Sequence, residues 1–216
     1  MNRRQANATL LAAAALAAMP LAAARGEGVR TLPAARKDEG MPLMRALQWR
    51  HSTRTFSARP LPAQLLSDLL WAAYGINRPN GDRTVPCWRH LRVIDLYAAM
   101  ADGVWLYDAD QHALRPHLSA DIRAQTGTQD FVASAPLGLV YVAHGESMGG
   151  ISPEERRLYA SVDAAFIGQN VYLFCASAGL ATVFRGAIDY KLLNQAMGLG
   201  DGQFVTFSQT VGYPAA

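Results

Sequence analysis

Residues 152–179 read SPEERRLYASVDAAFIGQNVYLFCASAG and carry the strongest helical signal in the chain. Ser152 is a good N-cap, Pro153 suits the first helical position, and two glutamates follow in the first turn, where the helix dipole favours acids. Gly179 is a typical helix end, so a helix is predicted from 153 to about 178. Its broad stripe consists of Leu158, Val162, Ala165, Phe166, Gln169, Tyr172 and Leu173. A helix this long and this apolar is expected at the centre of the fold or in a dimer interface.

On both sides of this helix, the chain alternates between strands and helices. Two shorter helices are predicted to begin at Pro42 and Pro62, and Gly75 ends the second. Strands are predicted over 91–99, 104–107, 137–143, 182–185 and 204–211, and short helical stretches over 119–125 and 190–197. The first two strands form a hairpin, and the third is apolar enough to be covered on both faces. The pattern predicts an α+β fold with a mixed sheet flanked by helices.

The first 24 residues have the pattern of an export signal. Arg3 and Arg4 precede a short apolar run over 9–18, Pro20 breaks it, and small residues at 22–24 offer a cleavage site. The run is too short to span a bilayer, so no stable membrane anchor is expected. Two routes stay open, the ordinary secretory route and the twin-arginine route that carries folded proteins. We expect a periplasmic protein with a flexible linker over 25–40 and one domain over 41–216.

Charge and cysteine content argue against several classes of protein. The chain has 20 Lys and Arg against 17 Asp and Glu, and losing Arg3 and Arg4 leaves 18 against 17, or about +1. Nothing therefore indicates a nucleic-acid partner. Cys87 and Cys175 have no metal-site spacing, although a disulfide between them stays open in an oxidising compartment.

Residues 50–54, here called the arginine segment, follow the first predicted helix. Arg50, His51, Ser52 and Arg54 bring two guanidiniums, an imidazole and a hydroxyl together within five residues. Guanidinium forks match phosphate oxygens in a bidentate manner, so the segment is a candidate phosphate clamp. The alternative is a solvated surface edge, where arginine is common.

Four segments resemble the nitroreductase family in order and spacing. RHSTRTF at 50–56 resembles its N-terminal R-x-S-x-R/K-x-F signature, and RTVPC at 83–87, GLATVFRG at 179–186 and GYP at 212–214 resemble later segments. The resemblance covers residues 41–214 and is closest to the thiazoline-oxidase-like branch. It implies a nitroreductase-like fold with a mainly antiparallel sheet, an arginine segment that grips an FMN phosphate, and a homodimer that builds the flavin site between two subunits.

The second resembling segment implies further flavin contacts. Pro86 and Cys87 match a Pro-Ser pair that reaches the flavin, with Cys in place of Ser. His90 stands where the family usually has a flavin-bonding Asn, and the alternative is that it merely begins a strand. Relatives often add a basic C-terminal tail after G-Y-P, and Arg83 is a candidate for that missing charge.

The third resembling segment implies contact with the flavin ring. Gly186 matches the position whose N–H points at flavin N5, where glycine allows close backbone approach. The alternative is a turn glycine with a positive φ. Arg185 is expected to stabilise negative charge on the reduced ring, or else to form an ion pair with Asp189.

The leading hypothesis is an FMN-dependent oxidoreductase that passes a hydride through N5 by a ping-pong mechanism. Its partners would be an electron donor, NAD(P)H or another, and a small conjugated acceptor such as a nitroaromatic or a quinone. The branch-specific alternative is a dehydrogenase acting on a peptide-derived heterocycle. The alternative from another class is a non-catalytic exported flavin-binding or structural module, because Cys87 and His90 depart from the family pattern.

Overall fold

A computed structural model describes residues 28–215, so the predicted export signal lies outside the described residues. These residues form a seven-stranded sheet with helices on both faces. The predicted α+β class, with a mainly antiparallel sheet and a long central helix, is confirmed. All six pairings between the described strands are antiparallel, so the expectation of a mixed sheet is wrong. Among the described residues, no helix is both long enough and apolar enough to cross a membrane.

The strands follow one another across the sheet in the order β1-β4-β3-β2-β5-β7-β6. They are β1 (Arg30–Thr31), β2 (Ile94–Met100), β3 (Gly103–Asp108), β4 (Ala113–Leu118), β5 (Leu137–His144), β6 (Ala181–Arg185) and β7 (Gln203–Gly212). Strand β6 therefore forms one edge of the sheet, next to β7. This edge position matters because it leaves one side of β6 free to pair with other parts of the chain.

Strand β5 is the most buried strand, as its apolar run predicted. Side chains alternate between the two faces of a strand, so its residues divide between two cores. Leu139 and Tyr141 join the core beneath the long helix, whereas Val140 and Val142 join the core on the opposite face. The predicted strand covered on both faces is thereby confirmed.

Five α-helices and three short 3₁₀ turns complete the described part of the chain. The helices are α1 (Leu43–Trp49), α2 (Ala63–Tyr74), α3 (Phe131–Ser134), α4 (Pro153–Ala178) and α5 (Tyr190–Ala196). Helix α4 begins and ends as predicted. The Ser152 side chain accepts from the N–H of Glu155, the Glu155 side chain accepts from the N–H of Ser152, and Gly179 closes the helix with a φ of 68°.

The face of α4 that lies on the sheet is not the predicted stripe. Leu158, Val162 and Phe166 expose 57, 41 and 44 % of their surface. The buried apolar and glycine positions of the helix are Ala160, Ala164, Ile167, Gly168, Val171 and Cys175. A Cβ on Gly168 would come within 2.5 Å of the Phe184 ring, which shows how closely helix and sheet approach. Helix α4 therefore uses mostly small residues against the sheet and leaves large apolar ones exposed.

Two expectations for the N-terminal half and the middle of the chain are wrong. Residues 28–40 are not a free linker, because β1 pairs with β4 and Arg36 binds the buried carboxylate of Asp68 at 2.7 Å. Strand β4 was not predicted, since Pro116 within it disfavours a strand. The helical stretch expected over 119–125 is a 3₁₀ turn, Arg123–Thr126.

Candidate functional site

The arginine segment lies along the free edge of β6. The N–H of Thr53 donates to the carbonyl oxygen of Thr182 at 2.9 Å, and Phe56 forms an isolated bridge with Pro214. An edge strand leaves backbone groups unpaired, and this segment satisfies one of them. The segment is thus fixed to the sheet, while its side chains stay accessible.

The side chains of the arginine segment gather around Tyr172 of α4. The Arg50 guanidinium lies 5.2 Å from the centre of the Tyr172 ring, and the Ser52 hydroxyl is 2.7 Å from the tyrosine oxygen. His51 Nδ1 lies 2.7 Å from the carbonyl oxygen of Trp49. Arg54 is exposed, and neither arginine has a carboxylate within 4.0 Å in the described part of the chain. The segment therefore presents two uncompensated cations, which suits an anion such as phosphate.

Gly186 follows the last residue of β6 and is exposed. Its φ is not positive, so the alternative of a left-handed turn glycine does not hold. A Cβ there would lie 3.5 Å from the ring of Phe207 and 3.8 Å from the hydroxyl of Tyr190, both ordinary contacts. Nothing within the described chain therefore requires glycine at this position.

Arg185 turns into the protein. One guanidinium nitrogen donates to the carbonyl oxygen of Thr126 at 3.2 Å and another to the hydroxyl of Thr210 at 2.8 Å. Burial lowers the pKa of Arg185 to about 10. The alternative ion pair with Asp189 is not formed, since that carboxylate caps α5 by accepting from Leu192. The placement of Arg185 gives no support for direct flavin contact.

The second predicted group surrounds a cavity of about 370 Å³. Arg83, Pro86, Cys87 and His90 all line it. Arg83 is 8 % exposed, donates to the carbonyl oxygen of Tyr74 at 3.1 Å and lies 4.8 Å from the centre of that ring. These four residues are thus brought together, at a site separate from the arginine segment.

The loop over 83–90 is held by contacts that the sequence did not reveal. The N–H of Trp88 donates to the buried carboxylate of Asp163 at 2.9 Å, and the indole stacks on Tyr159 with 5.7 Å between ring centres. Cys87 is half-buried, and burial raises the pKa of its thiol. Both Cys87 and Cys175 are free, so the open disulfide alternative is not realised.

His90 does not begin a strand, because β2 starts four residues later at Ile94. It and Arg89 are consecutive non-glycine residues with positive φ, 58° and 48°. Such backbone costs energy and occurs often at functional sites. The imidazole is 89 % exposed and lies 3.9 Å from the carboxylate of Asp82.

Helix α4 separates the two groups of predicted residues. The loop contacts it at Asp163 and the arginine segment contacts it at Tyr172. The two positions are nine residues apart, which is about 14 Å along the helix axis. Nine residues make two and a half turns, so the two side chains point to roughly opposite sides of the helix. The exposed Val162 and Phe166 lie on the face between them. One chain therefore does not bring all ten predicted residues into one site.

Comparison with known proteins agrees with this architecture. The nitroreductase family model matches residues 47–213. A provisionally named nitroreductase of Methanocaldococcus jannaschii is 30 % identical over 148 residues, which make up 64 % of this chain and 75 % of that protein. The crystal structure of a provisionally named nitroreductase from Ralstonia eutropha JMP134 has a TM-score of 0.83 and 41 % identity, covering 92 % of this chain and 97 % of that one.

A more distant structure shares the fold alone. The NADPH:FMN oxidoreductase from Vibrio harveyi, complexed with NAD⁺, has a TM-score of 0.58 at 20 % identity and covers 81 % of this chain and 69 % of that one. The family match extends from the end of α1 to the residue after β7 and includes both groups of candidate residues. The chain therefore belongs to the nitroreductase family of oxidoreductases.

Proposed function

We propose that the protein is an FMN-dependent oxidoreductase that reduces or oxidises a small conjugated molecule, such as a nitroaromatic or a quinone, by a ping-pong mechanism. The observation that carries the proposal is the accessible pair of uncompensated arginines, Arg50 and Arg54, in a segment that lies along edge strand β6, the strand that Gly186 follows. Family membership and the likeness to an enzyme named for NADPH and FMN support it. Bound FMN would supply the hydride chemistry.

The chain's own residues would bind and orient the cofactor. Arg50, Ser52 and Arg54 would hold the phosphate, with His51 beside them, through charge-assisted hydrogen bonds. The backbone N–H of Gly186 would donate to the ring, and the absence of a side chain leaves the space for that approach. No G-x-G-x-x-G loop is present for a dinucleotide pyrophosphate, which favours FMN over FAD.

The exposed face of α4 supports a homodimer. Leu158, Val162 and Phe166 form an apolar surface, and Met44 and Trp49 of the adjacent α1 are also exposed. Burying such a surface in a two-fold dimer is favourable. Because the loop over 83–90 and the arginine segment flank this face, a two-fold axis across α4 would set one subunit's loop against its partner's arginine segment. Each flavin site would then be built from both chains.

Phosphate binding is tested by titrating FMN into the purified full chain and following flavin fluorescence. Arg50→Ala removes one charge-assisted contact of roughly 1.5–3 kcal/mol, about ten- to a hundredfold in affinity. Arg157→Ala is the matched control, since Arg157 is exposed but packs over Phe204. Equal FMN affinity in the two variants would refute the assignment.

One observation favours a flavin-binding module without turnover. Cys87 and His90 replace the Ser and Asn expected there, and the His90 imidazole faces solvent. A donor screen with reduced nicotinamides and other reductants separates the two functions. A yellow protein that dithionite bleaches but that no donor reduces would be the module. A donor that supports repeated turnover establishes the enzyme.

Export, membership of the thiazoline-oxidase-like branch and action on a peptide-derived heterocycle stay predictions. Cell fractionation of the full-length chain tests export, and Arg3→Lys with Arg4→Lys tests the twin-arginine route. Loss of periplasmic protein in that double variant is expected only for the twin-arginine route. A panel that includes thiazolines and oxazolines tests the branch.

A further inference from the structure

The cavity beside the 83–90 loop is lined by an excess of positive charge. Its wall contains the side chains of Arg78, Arg83, Arg92 and His90 and one carboxylate, Asp82. Its volume of about 370 Å³ is enough for a small organic molecule.

Two of the three arginines are already paired. Arg78 lies 3.5 Å from Asp82, and Arg92 lies 2.9 Å from Asp110. The Arg83 guanidinium has no carboxylate within 4.0 Å in the 28–215 region, and its single hydrogen bond there goes to the carbonyl oxygen of Tyr74. It is nevertheless more than nine-tenths buried, and its Nε atom is buried without a partner.

The acids on the far side of Arg83 do not compensate it. A neighbouring hollow contains Asp95, Asp108 and Asp110. Asp95 binds His144 at 2.7 Å, Asp108 binds Arg115, and Asp110 binds Arg92. Each carboxylate therefore has its own cation. A buried charge without a counter-ion is unfavourable, so an anion in the cavity would improve the electrostatics of the folded chain.

We propose that this cavity binds the oxyanion group of the enzyme's small substrate, a carboxylate or a phosphate, with Arg83 as its principal contact. This inference rests on the proposed function, because Pro86 and Cys87, which we expect beside the flavin, line the same cavity. A conjugated substrate would then place its reacting part at the flavin edge and its anionic group against Arg83. The substrate class becomes an aromatic or heteroaromatic acid, or a phosphorylated donor.

Binding can be measured without turnover. The probes are 4-nitrobenzoate, its neutral counterpart nitrobenzene and inorganic phosphate, titrated calorimetrically into the full chain. We expect 4-nitrobenzoate to bind at least tenfold more tightly than nitrobenzene, and Arg83→Gln to remove that preference. Arg157→Gln, a charge-matched change outside the cavity, should leave it intact. Equal binding of the two nitro compounds, or an undiminished preference in Arg83→Gln, would overturn the proposal.

A second variant covers the case in which Arg83→Gln does not fold, since Arg83 also packs over Tyr74. Arg78→Gln with Arg92→Gln removes two exposed cations from the same cavity. We expect several-fold weaker binding of 4-nitrobenzoate and a reduced dependence on salt. An unchanged dissociation constant in this folded double variant would count against the cavity.

Steady-state kinetics then distinguish the two sources of the oxyanion. If the acceptor supplies it, these variants raise KM for 4-nitrobenzoate but not for nitrobenzene, and the ratio of KM for NADPH and NADH stays constant. If the donor supplies a phosphate, the ratio of KM for NADPH and NADH changes instead. A chain that binds 4-nitrobenzoate through Arg83 but takes up no FMN would refute the proposed function alone. A chain that turns over with FMN but shows no preference for anions would refute this inference alone.

Discussion

The Ser52 hydroxyl oxygen lies 2.7 Å from the phenolic oxygen of Tyr172. That same tyrosine oxygen accepts the N–H of Phe184 at 2.9 Å, so its own proton is free to donate to Ser52. One side chain on α4 therefore connects the edge strand β6 with the arginine segment. Tyr172 is a positioning residue for the proposed phosphate site.

Tyr172→Phe should loosen the arginine segment without unfolding the protein. The lost hydrogen bonds are worth about 0.5–1.5 kcal/mol each, so FMN affinity should fall roughly two- to tenfold per bond. Fluorescence titration measures the affinity, and circular dichroism checks the fold. Tyr97→Phe, on the opposite face of the sheet, is the control and should bind FMN normally. Full affinity in Tyr172→Phe would remove this tyrosine from the site.

Gly186→Ala should weaken flavin binding while leaving the stability of the protein intact. The added Cβ makes only ordinary contacts within the chain and meets no positive φ, so the free energy of unfolding should stay equal or rise by up to about 1 kcal/mol. FMN affinity should fall, and the reduction potential of any retained flavin should shift. Both are measured on the purified holoprotein, beside a urea denaturation curve.

Gly179→Ala is the matched control for that experiment. Gly179 has a φ of 68° at the end of α4, where a side chain is strained. This variant should lose about 1 kcal/mol of stability and keep its flavin. If Gly186→Ala retains normal FMN content and potential, the end of β6 does not face the flavin ring.

Local signals in the sequence were sufficient to predict where α4 begins and ends, but not which of its faces packs against the sheet. The capping box at Ser152 and the glycine at 179 act within one turn, so both ends of the helix could be predicted. Which face is buried depends on Phe184 and the sheet, and the large side chains of the stripe expected at the centre of the fold or in a dimer interface are exposed in the single chain. Strand β4 was not recognised because Pro116 disfavours a strand locally, whereas its pairing with β1 and β3 depends on residues elsewhere in the chain.

The candidate site also depends on contacts between distant residues, which local sequence patterns do not predict. The four motifs indicated the arginine segment and the 83–90 loop, but not the contacts that hold them. Asp163 reaches Trp88 across 75 residues and Tyr172 reaches Ser52 across 120. Nothing in the local spacing of α4 distinguishes these two side chains from ordinary helix residues.

Asp163 should stabilise the fold as a hydrogen-bond acceptor, whereas its negative charge should destabilise the fold. Burial raises the pKa of its carboxyl, while the hydrogen bond from Trp88 lowers it. Because the pKa of Asp163 is raised in the folded protein, the protonated carboxyl contributes to the free energy of unfolding in full only below pH 3.8. This contribution is lost as the pH rises through the folded pKa. At neutral pH, Asp163→Asn should therefore be as stable as the wild type or more stable, because it keeps an acceptor without a buried charge.

Asp163→Ala provides the contrast. It leaves the N–H of Trp88 without its acceptor, which costs roughly 1–3 kcal/mol if the group stays buried. Urea denaturation of the three proteins at neutral pH measures the difference. Equal losses of stability in Asp163→Asn and Asp163→Ala would mean that the ionised carboxylate itself holds the loop over 83–90.

The ion pair of His144 with Asp95 should make stability depend on pH. Their side chains are 31 and 30 % exposed and lie 2.7 Å apart, and the hydrogen bond that His144 donates to the Asp95 carboxylate raises the pKa of His144 above 6.5. A raised histidine pKa gives stability that is fully present below pH 6.5 and is lost as the pH rises through the folded value. The pair should therefore stabilise the protein more at about pH 6 than at about pH 8, by less than about 1 kcal/mol because it is partly solvated.

His144→Gln isolates this effect from other titrating groups: subtracting its free energy of unfolding from that of the wild type at each pH leaves the contribution of His144. Asp95→Asn should abolish the same difference, since neutral asparagine does not favour the charged imidazole. A difference between wild type and His144→Gln that stays constant across this range, or that grows toward high pH, would show that the pair does not stabilise the fold through the charge of His144.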